Sequence, residues 1–331
     1  LSFQGHDYAG DTMSKVIAVI LTYNRQDLLQ LCLAAIYSQT CICDQVIVVD
    51  NASDDNTQEM LSELDYPNLK VYLLSQNVGA AGGFNAGFRL AYKEGADYIW
   101  MMDDDVIPEP FALQRLIEAD NTLDENGIDR AYLISTAFTE NGYVTNSPSI
   151  NKKINHIGYK DWPKFAQYGV VSVDRATFVS ILVPRGTIDR YGLPISDMFI
   201  WGEDTEYTLR ITEDVPGFVV GASKVMHLRQ EKGVLNIISE NSEVRLKYYK
   251  YLIRNRIFVT KKYRPAHVVV KIMCLDLYMI LKLLRRRQLK KAGIVTAGLV
   301  EGFLFSPEIE YIDSPVKSQC LPLRIYKCES L

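Results

Sequence analysis

Tyr98-Ile99-Trp100-Met101-Met102-Asp103-Asp104-Asp105-Val106 is an apolar run of strand length that breaks into three consecutive acids. The apolar half suits a strand buried on both faces, and the acids then stand on a loop at its carboxyl end. Three adjacent carboxylates repel one another unless a cation sits among them. Hard oxygen ligands on a short loop suit Mg²⁺ or Mn²⁺, whose open coordination positions substrate phosphates commonly fill. A lone acidic triplet is also an ordinary solvated turn, so the neighbouring sequence has to decide.

Upstream, β-branched runs alternate with helical periods, the pattern of a parallel sheet flanked by helices. Val16 to Leu21 reads as a first strand. Asn24 or Asp27 can cap a helix with Leu28, Leu29, Cys32, Leu33 and Ile36 on one face. Val46 to Val49 is a second strand ending at Asp50-Asn51, a helix follows near Thr57 to Leu64, and Val71 to Leu74 is a third strand. Gly82-Gly83 opens a helix through Tyr92, and the quoted stretch is the fourth strand. Ligands of open α/β sheets lie beyond the carboxyl ends of the strands. Thr22-Tyr23-Asn24-Arg25, Asp50-Asn51, Asn77 to Gly83 and Asp103 to Asp105 should therefore converge on one nucleotide-sized crevice. Farther on, a helix runs to about Asp120, and Ala131 to Phe138, Val170 to Val173 and Thr177 to Val183 read as strands. Helices dominate from Ser242 onward.

Asn77 to Gly87 places glycines where a helix start closely approaches another group, and exposed amide donors there would favour a phosphate. The stretch matches neither a Walker loop nor a dinucleotide fingerprint. Trp201-Gly202-Glu203-Asp204-Thr205-Glu206-Tyr207 sets carboxylates beside an aromatic ring, a setting for a general base as well as for an acid-rich helix start. His227, one of four histidines, ends an apolar run. No nucleophile elbow or Ser/His/Asp set is visible.

At 331 residues, 48% hydrophobic and 23% charged, the chain can bury a full core. Residues 1–12 resemble an appended tail with a protease-site remnant at Phe3-Gln4-Gly5, and no uncharged apolar run is long enough to span a bilayer. The six cysteines lack paired metal spacing and are expected to be thiols in a reducing, cytoplasmic setting. The net charge of −4 conceals an asymmetry: residues 227–331 hold 20 Lys and Arg against 9 Asp and Glu, and the rest holds 16 against 31. Such a basic module attracts polyanions or anionic lipid. Nucleic acid is not expected, because the acidic remainder would repel its backbone and no nucleic-acid module is visible.

Val19 to Arg25, Val48 to Ser53, Asn77 to Gly87 and Asp103 to Asp105 together resemble family 2 glycosyltransferases. Ala81 to Phe84, Trp201 to Tyr207 and His227 most resemble bacterial galactofuranosyltransferases and rhamnosyltransferases of cell-surface polysaccharides. The resemblance implies a GT-A fold, a Rossmann-like, mostly parallel α/β sheet flanked by helices, over residues 13–230, with a helical basic module over residues 231–331. It implies that Thr22, Tyr23, Asn24, Arg25, Asp50, Asn77, Gly82, Gly83, Asp103, Asp104 and Trp201 bind the donor. Asp103, Asp105 and His227 would hold Mn²⁺ or Mg²⁺, and Asp204 would be the catalytic base, with Glu203 the second choice or an acceptor-binding group. Gly202-Glu203 after Trp201 departs from the galactofuranosyl pattern, which has an Asp pair against the tryptophan.

The activity so implied is metal-dependent inverting transfer of a sugar to a growing glycan or lipid-linked acceptor. The donor is UDP-galactofuranose, with dTDP-rhamnose as alternative; a reading of another class is an inactive nucleotide-sugar-binding scaffold. The basic residues from Arg245 to Lys291 interleave with apolar ones, so the module suits the inner leaflet of the membrane, a second copy of the chain, or a packed helical pair with solvated lysines.

Overall fold

All residues of β1 (Val16–Thr22) and β2 (Gln45–Asp50) are buried, as strands covered by helices on both faces must be. A computed structural model, describing residues 14–228, 235–317, 320 and 322–327, gives the arrangement. The expected tail, the junction at residue 230 and Cys328 lie outside the described residues. β1 lies parallel between β2 and β4 (Tyr98–Asp103), and β2 pairs in parallel with β3 (Leu69–Leu74). Side chains alternate along β1. Val16, Ala18 and Ile20 join a core with α1 (Gln26–Tyr37), α2 (Thr57–Glu63) and α4 (Ala112–Glu125). Ile17, Val19 and Leu21 join another with α3 (Gly79–Lys93), α5 (Arg185–Tyr191) and α6 (Glu203–Thr212).

Beyond β4 the sheet becomes mixed. It continues through β10 (Ile181–Pro184), β6 (Leu133–Phe138), β11 (Gly217–His227), β9 (Val170–Arg175) and β8 (Ser149–Ile150). Two short strands hang off this path: β5 (Val106–Pro108) on β11 and β7 (Val144–Thr145) on β6. The strand expected from Thr177 begins only at Ile181. Buried Ser180, at φ 127°, turns its hydroxyl to the Trp100 indole N–H (3.0 Å) and to Ser135 Oγ (2.8 Å), which bends the chain there.

Two helix starts differ from the sequence reading. Neither Asn24 nor Asp27 caps α1; the Asn24 side chain instead donates to Asp54 Oδ1 and accepts from the Asp54 amide. α3 begins at Gly79 rather than Gly82, because Asn51 Oδ1 accepts from the Val78 amide (2.9 Å) and Asn77 Oδ1 from the Gly79 amide (2.8 Å). Side-chain oxygens thus take donors that a helix start leaves unpaired.

The C-terminal third forms α7 (Glu243–Tyr263), capped by Ser242, then α8 (Ala266–Arg285) and α9 (Leu289–Leu304). α9 crosses close against α7, since a Cβ at Gly298 would meet Lys250 O at 2.7 Å. The expected C-terminal helices are thus present, and beyond Leu304 a strand joins them: β12 (Pro322–Lys327) pairs antiparallel with the edge of β3. An unpaired edge strand invites such a partner. No helix among the described residues is long and apolar enough to cross a membrane.

Candidate active site

The carboxyl ends of β1, β2 and β4 open into a cleft of about 220 Å³ lined by Thr22, Tyr23, Arg25, Asn51, Asn77, Gly79, Asp103 and Asp104. Arg25, Ala80, Asp103 and Ile200 also line a second cavity of about 720 Å³, so the two adjoin there. The larger space is walled by Asp103, Asp105, Glu203, Asp204 and His227 and, opposite in charge, by Arg175, Arg256 and Arg264. The four strand ends predicted from the sequence therefore do meet.

Each of the three aspartates has a distinct environment. Asp104 accepts from Thr22 Oγ1 (2.8 Å) and Arg25 Nη1 (3.0 Å), and burial still pushes its carboxyl up to about 6. Burial, then the Asp105 and Asp104 charges, drive Asp103 well above the usual carboxylate range, with Asp204 adding to the effect. Burial would raise Asp105 too, but His227 and Arg25 outweigh it and hold the carboxyl low. A cluster of this kind is a sink for positive charge.

Short β5 brings His227 to the triplet. Antiparallel pairing sets His227 opposite Val106, and the Leu228 amide donates to Asp105 O (2.8 Å). His227 Nε2 then lies 3.2 Å from Asp105 Oδ1, a buried oxygen without a hydrogen-bond donor. On its other side His227 Nδ1 meets Asn146 Oδ1 at 2.9 Å. An amide oxygen only accepts, so Nδ1 is the donor on that side, and Nε2 is the ring atom turned to the Asp105 carboxylate. Neighbouring imidazole and carboxylate would together make part of a donor set for a divalent cation such as Mn²⁺. Asp103 lines the same cavity, yet among the described residues no three acid, histidine or cysteine side chains converge in a metal-holding group. Of the three expected ligands, His227 and Asp105 are in contact and Asp103 lines the same cavity.

Across the cavity, α6 starts with Glu203 and Asp204 directly after Gly202, whose φ is 122°. Burial raises both carboxyls; Glu203 moves far up, while Thr205 N–H and Arg175 restrain Asp204. Glu203 is 6% exposed and its Oε2 is unpartnered. A carboxyl so strongly held in its neutral form is a poor proton acceptor. Asp204, half-buried on the cavity wall, is the better placed of the two.

Some expected donor-binding residues do not reach the cleft. Gly82 and Gly83 are buried inside α3, where a Cβ on Gly83 would strike Leu21 Cδ1 at 2.3 Å; they permit close helix–sheet packing, and Gly79 and Ala80 face the cleft instead. Asp50 turns inward and accepts from the Ser53 amide and hydroxyl, so Asn51, just past the end of β2, is the residue on the cleft wall. Asn24 lines a neighbouring surface depression. Trp201 lines the larger cavity, its ring edge-on to Tyr249 with centroids 5.4 Å apart. Sequence reading missed Asn146, Arg175, Asn255, Thr260 and Arg264 as wall residues. Arg256, Thr260 and Arg264 recur every fourth position, one face of a helix, but nothing local reveals that α7 packs on α6 and walls the cavity.

Residues 17–176 match the family described as Glycosyl transferase family 2. Galactofuranosyltransferase GlfT1 of Mycolicibacterium smegmatis is 43% identical over 94 residues, 28% of this chain and 30% of that protein. Undecaprenyl-phosphate mannosyltransferase of Micrococcus luteus is 31% identical over 146 residues, 44% of this chain and 57% of that protein. The matches thus span less than two thirds of these relatives. A crystal structure of GalNAc-T7 with UDP, GalNAc and Mn²⁺ superposes with a TM-score of 0.55 at 14% identity, covering 75% of this chain and 48% of that one. The sheet order, the polar strand ends and these likenesses agree on a GT-A fold in which residues 17–176 match a family 2 glycosyltransferase domain.

Proposed function

We propose that the protein is an inverting glycosyltransferase that moves galactofuranose from UDP-galactofuranose to a hydroxyl of a cell-surface glycan or lipid-linked acceptor. The observation that carries this reading is that Asp103, at the edge of the nucleotide-sized cleft, and Asp204 line one continuous cavity. Thr22, Tyr23, Asn51 and Asn77 would receive the nucleoside and Arg25 the diphosphate. An acceptor hydroxyl attacks the anomeric carbon, the bond to the diphosphate oxygen breaks, and Asp204 takes the hydroxyl proton. A raised carboxyl suits that task, since a base works best with its pKa nearer the operating pH. Asp105 and His227, with Asp103, would hold Mn²⁺ or Mg²⁺, which when bound neutralises charge developing on the departing diphosphate. The galactofuranosyl donor is favoured by the likeness to GlfT1; dTDP-rhamnose is the alternative.

The expected result for Asp204→Asn is unchanged UDP affinity and transfer reduced by about 10²- to 10⁴-fold. Parental turnover in Asp204→Asn with a dead Glu203→Gln would exchange the two roles. A thermal-shift series with Mn²⁺ tests the donor, because a ligand at ~100 times its Kd stabilises by about 2.7 kcal/mol. Stabilisation by dTDP species and none by UDP species would move the donor to rhamnose.

The same reading includes a membrane contact. α8 exposes Val270, Leu277, Tyr278, Leu281 and Leu284 beside Lys271, Arg285 and Arg286. Its single acid, Asp276, is buried and paired with Arg256. The outer face is therefore apolar and cationic without a compensating anion, which suits an anionic lipid surface. Ile272 of this helix also lines the larger cavity, so the contact lies beside the acceptor space.

A further inference from the structure

The turn preceding Asp204 is strained. Ile200 N–H donates to Met198 O (2.8 Å) across Phe199, which has φ 63° and ψ −68°, a γ-turn geometry that side-chain-bearing residues rarely adopt. Trp201 at φ 61° and Gly202 at φ 122° follow. Such a segment persists only where its surroundings over-determine it, and here the surroundings can be named. Asn255 Nδ2 reaches Met198 O (2.8 Å), Ile200 O (3.1 Å) and Trp201 O (3.1 Å). Arg254 Nη2 donates to Asp197 O (2.8 Å) and Met198 O (3.0 Å), and the Ala81 amide donates to Phe199 O (2.9 Å). Every carbonyl from Asp197 to Trp201 is thereby held from α7 or α3.

The orientation of the amide is fixed as well. Arg254 Nε donates to Asn255 Oδ1 (3.0 Å), leaving only the NH₂ to face the carbonyls. Asn255 is fully buried, and both it and the turn residues Ile200 and Trp201 line the larger cavity. Phe199 and Ile200 also wall the nucleotide cleft. One clamped turn therefore stands between the donor space and the start of α6.

We infer that Asn255, oriented by Arg254, is a positioning residue that holds the strained Phe199–Gly202 turn and so fixes Asp204 against the donor. The inference rests on the reading of Asp204 as base. With the clamp removed, the turn relaxes toward ordinary backbone angles and Asp204 leaves its line of approach, while the nucleotide walls on β1, β2 and β4 remain.

Asn255→Asp keeps the side chain's size but sets an acceptor against three carbonyl oxygens. In the full chain we expect kcat to fall about tenfold to a hundredfold, the scale of a misplaced catalytic group, with donor KM and UDP affinity within about twofold of parental. Val46→Ala, at the amino end of β2 in a core that contains no residue of the turn, is the control for stability loss alone and should keep kcat. Equal losses of kcat in the two variants, or parental kcat in Asn255→Asp, would overturn the inference. Should Asn255→Asp fail to fold, Arg254→Lys removes the orienting Nε donor while keeping the charge. A fall in kcat at constant donor KM supports the clamp, and parental kcat overturns it. If Asp204→Asn itself turns over normally, the underlying reading fails; if only the clamp variants are normal, this inference alone fails.

Discussion

α7 and α8 are nearly equal in length, 21 and 20 residues, and the sequence presents both as basic and amphipathic, yet α7 buries nine residues and α8 two. α7 carries seven lysines and arginines and α8 only three, so hydrophobicity alone would have buried the wrong one. What separates them is the supply of polar partners. α7 meets the open carbonyls of the 197–201 turn and the buried Glu206, and its Arg254, Asn255 and Lys262 satisfy them. α8 packs through α9 and a single inward ion pair, leaving Val270, Leu277 and Leu281 at 50% exposure or more. A charged helix is buried where its charges complete someone else's hydrogen bonds.

The strongest way to break that comparison is at Glu206. It is 0% exposed and receives Arg210 Nη2 (3.0 Å), Lys262 Nζ (3.1 Å) and Tyr263 Oη (2.6 Å), which tie α6 to α7. Glu206→Ala should cost about 3–5 kcal/mol, since it leaves the buried Arg210 guanidinium without its counter-charge, held only by the Tyr191 and Leu193 carbonyls. Chemical denaturation reads this directly. A loss under about 1 kcal/mol would mean that α7 is not held to α6 through its charges. On α8, Leu277→Ala should stay within about 0.5 kcal/mol of parental, as exposed positions do.

A smaller effect concerns the acid cluster that α7 faces. Asp103 is raised well above its ordinary value by burial first and by the neighbouring carboxylates next. A carboxyl raised in the folded state binds its proton more tightly there than in the unfolded chain. It therefore costs no stability below the unfolded pKa, and the cost grows as pH climbs toward the folded value. Asp103→Asn should raise the Tm of the metal-free protein at about pH 7.5, with the gain shrinking toward about pH 4. Mn²⁺ should raise the Tm of the parent more than that of the variant. A gain that does not change with pH would assign the effect to packing instead.

The same contrast explains what was legible. Strands one to four and the crevice at their ends followed from β-branched runs and polar termini, because a parallel sheet writes each strand as a contiguous local signal. Asp105 and His227 were named from the sequence, but their meeting depends on three-residue β5, too short to carry a pattern. The role assigned to Gly82 and Gly83 failed for a related reason: a glycine needed for close packing on Leu21 looks the same in sequence as one needed for phosphate. Arg254 and Asn255 were invisible as clamp residues because their partners are main-chain carbonyls some 55 residues away, and a carbonyl has no sequence signature.

The smallest expected effect on stability, and the one most particular to α8, is replacement of Arg285, Arg286 and Arg287 by Gln. All three are exposed at the end of the helix, so folding stability should change little. Sedimentation with anionic vesicles is the measurement that should change. The parent should bind at low salt and release as ionic strength rises, because charges are screened beyond about 8 Å near 0.15 M salt, whereas the triple variant should bind weakly throughout. Each cation near an anionic surface is worth about 1 kcal/mol, so losing three lowers partition by roughly two orders of magnitude. Leu277→Gln with Leu281→Gln should weaken the salt-resistant remainder, since that part comes from the apolar stripe entering the headgroup region. A salt-resistant dimer in light scattering, with no vesicle binding, would instead assign the α8 face to a second copy of the chain.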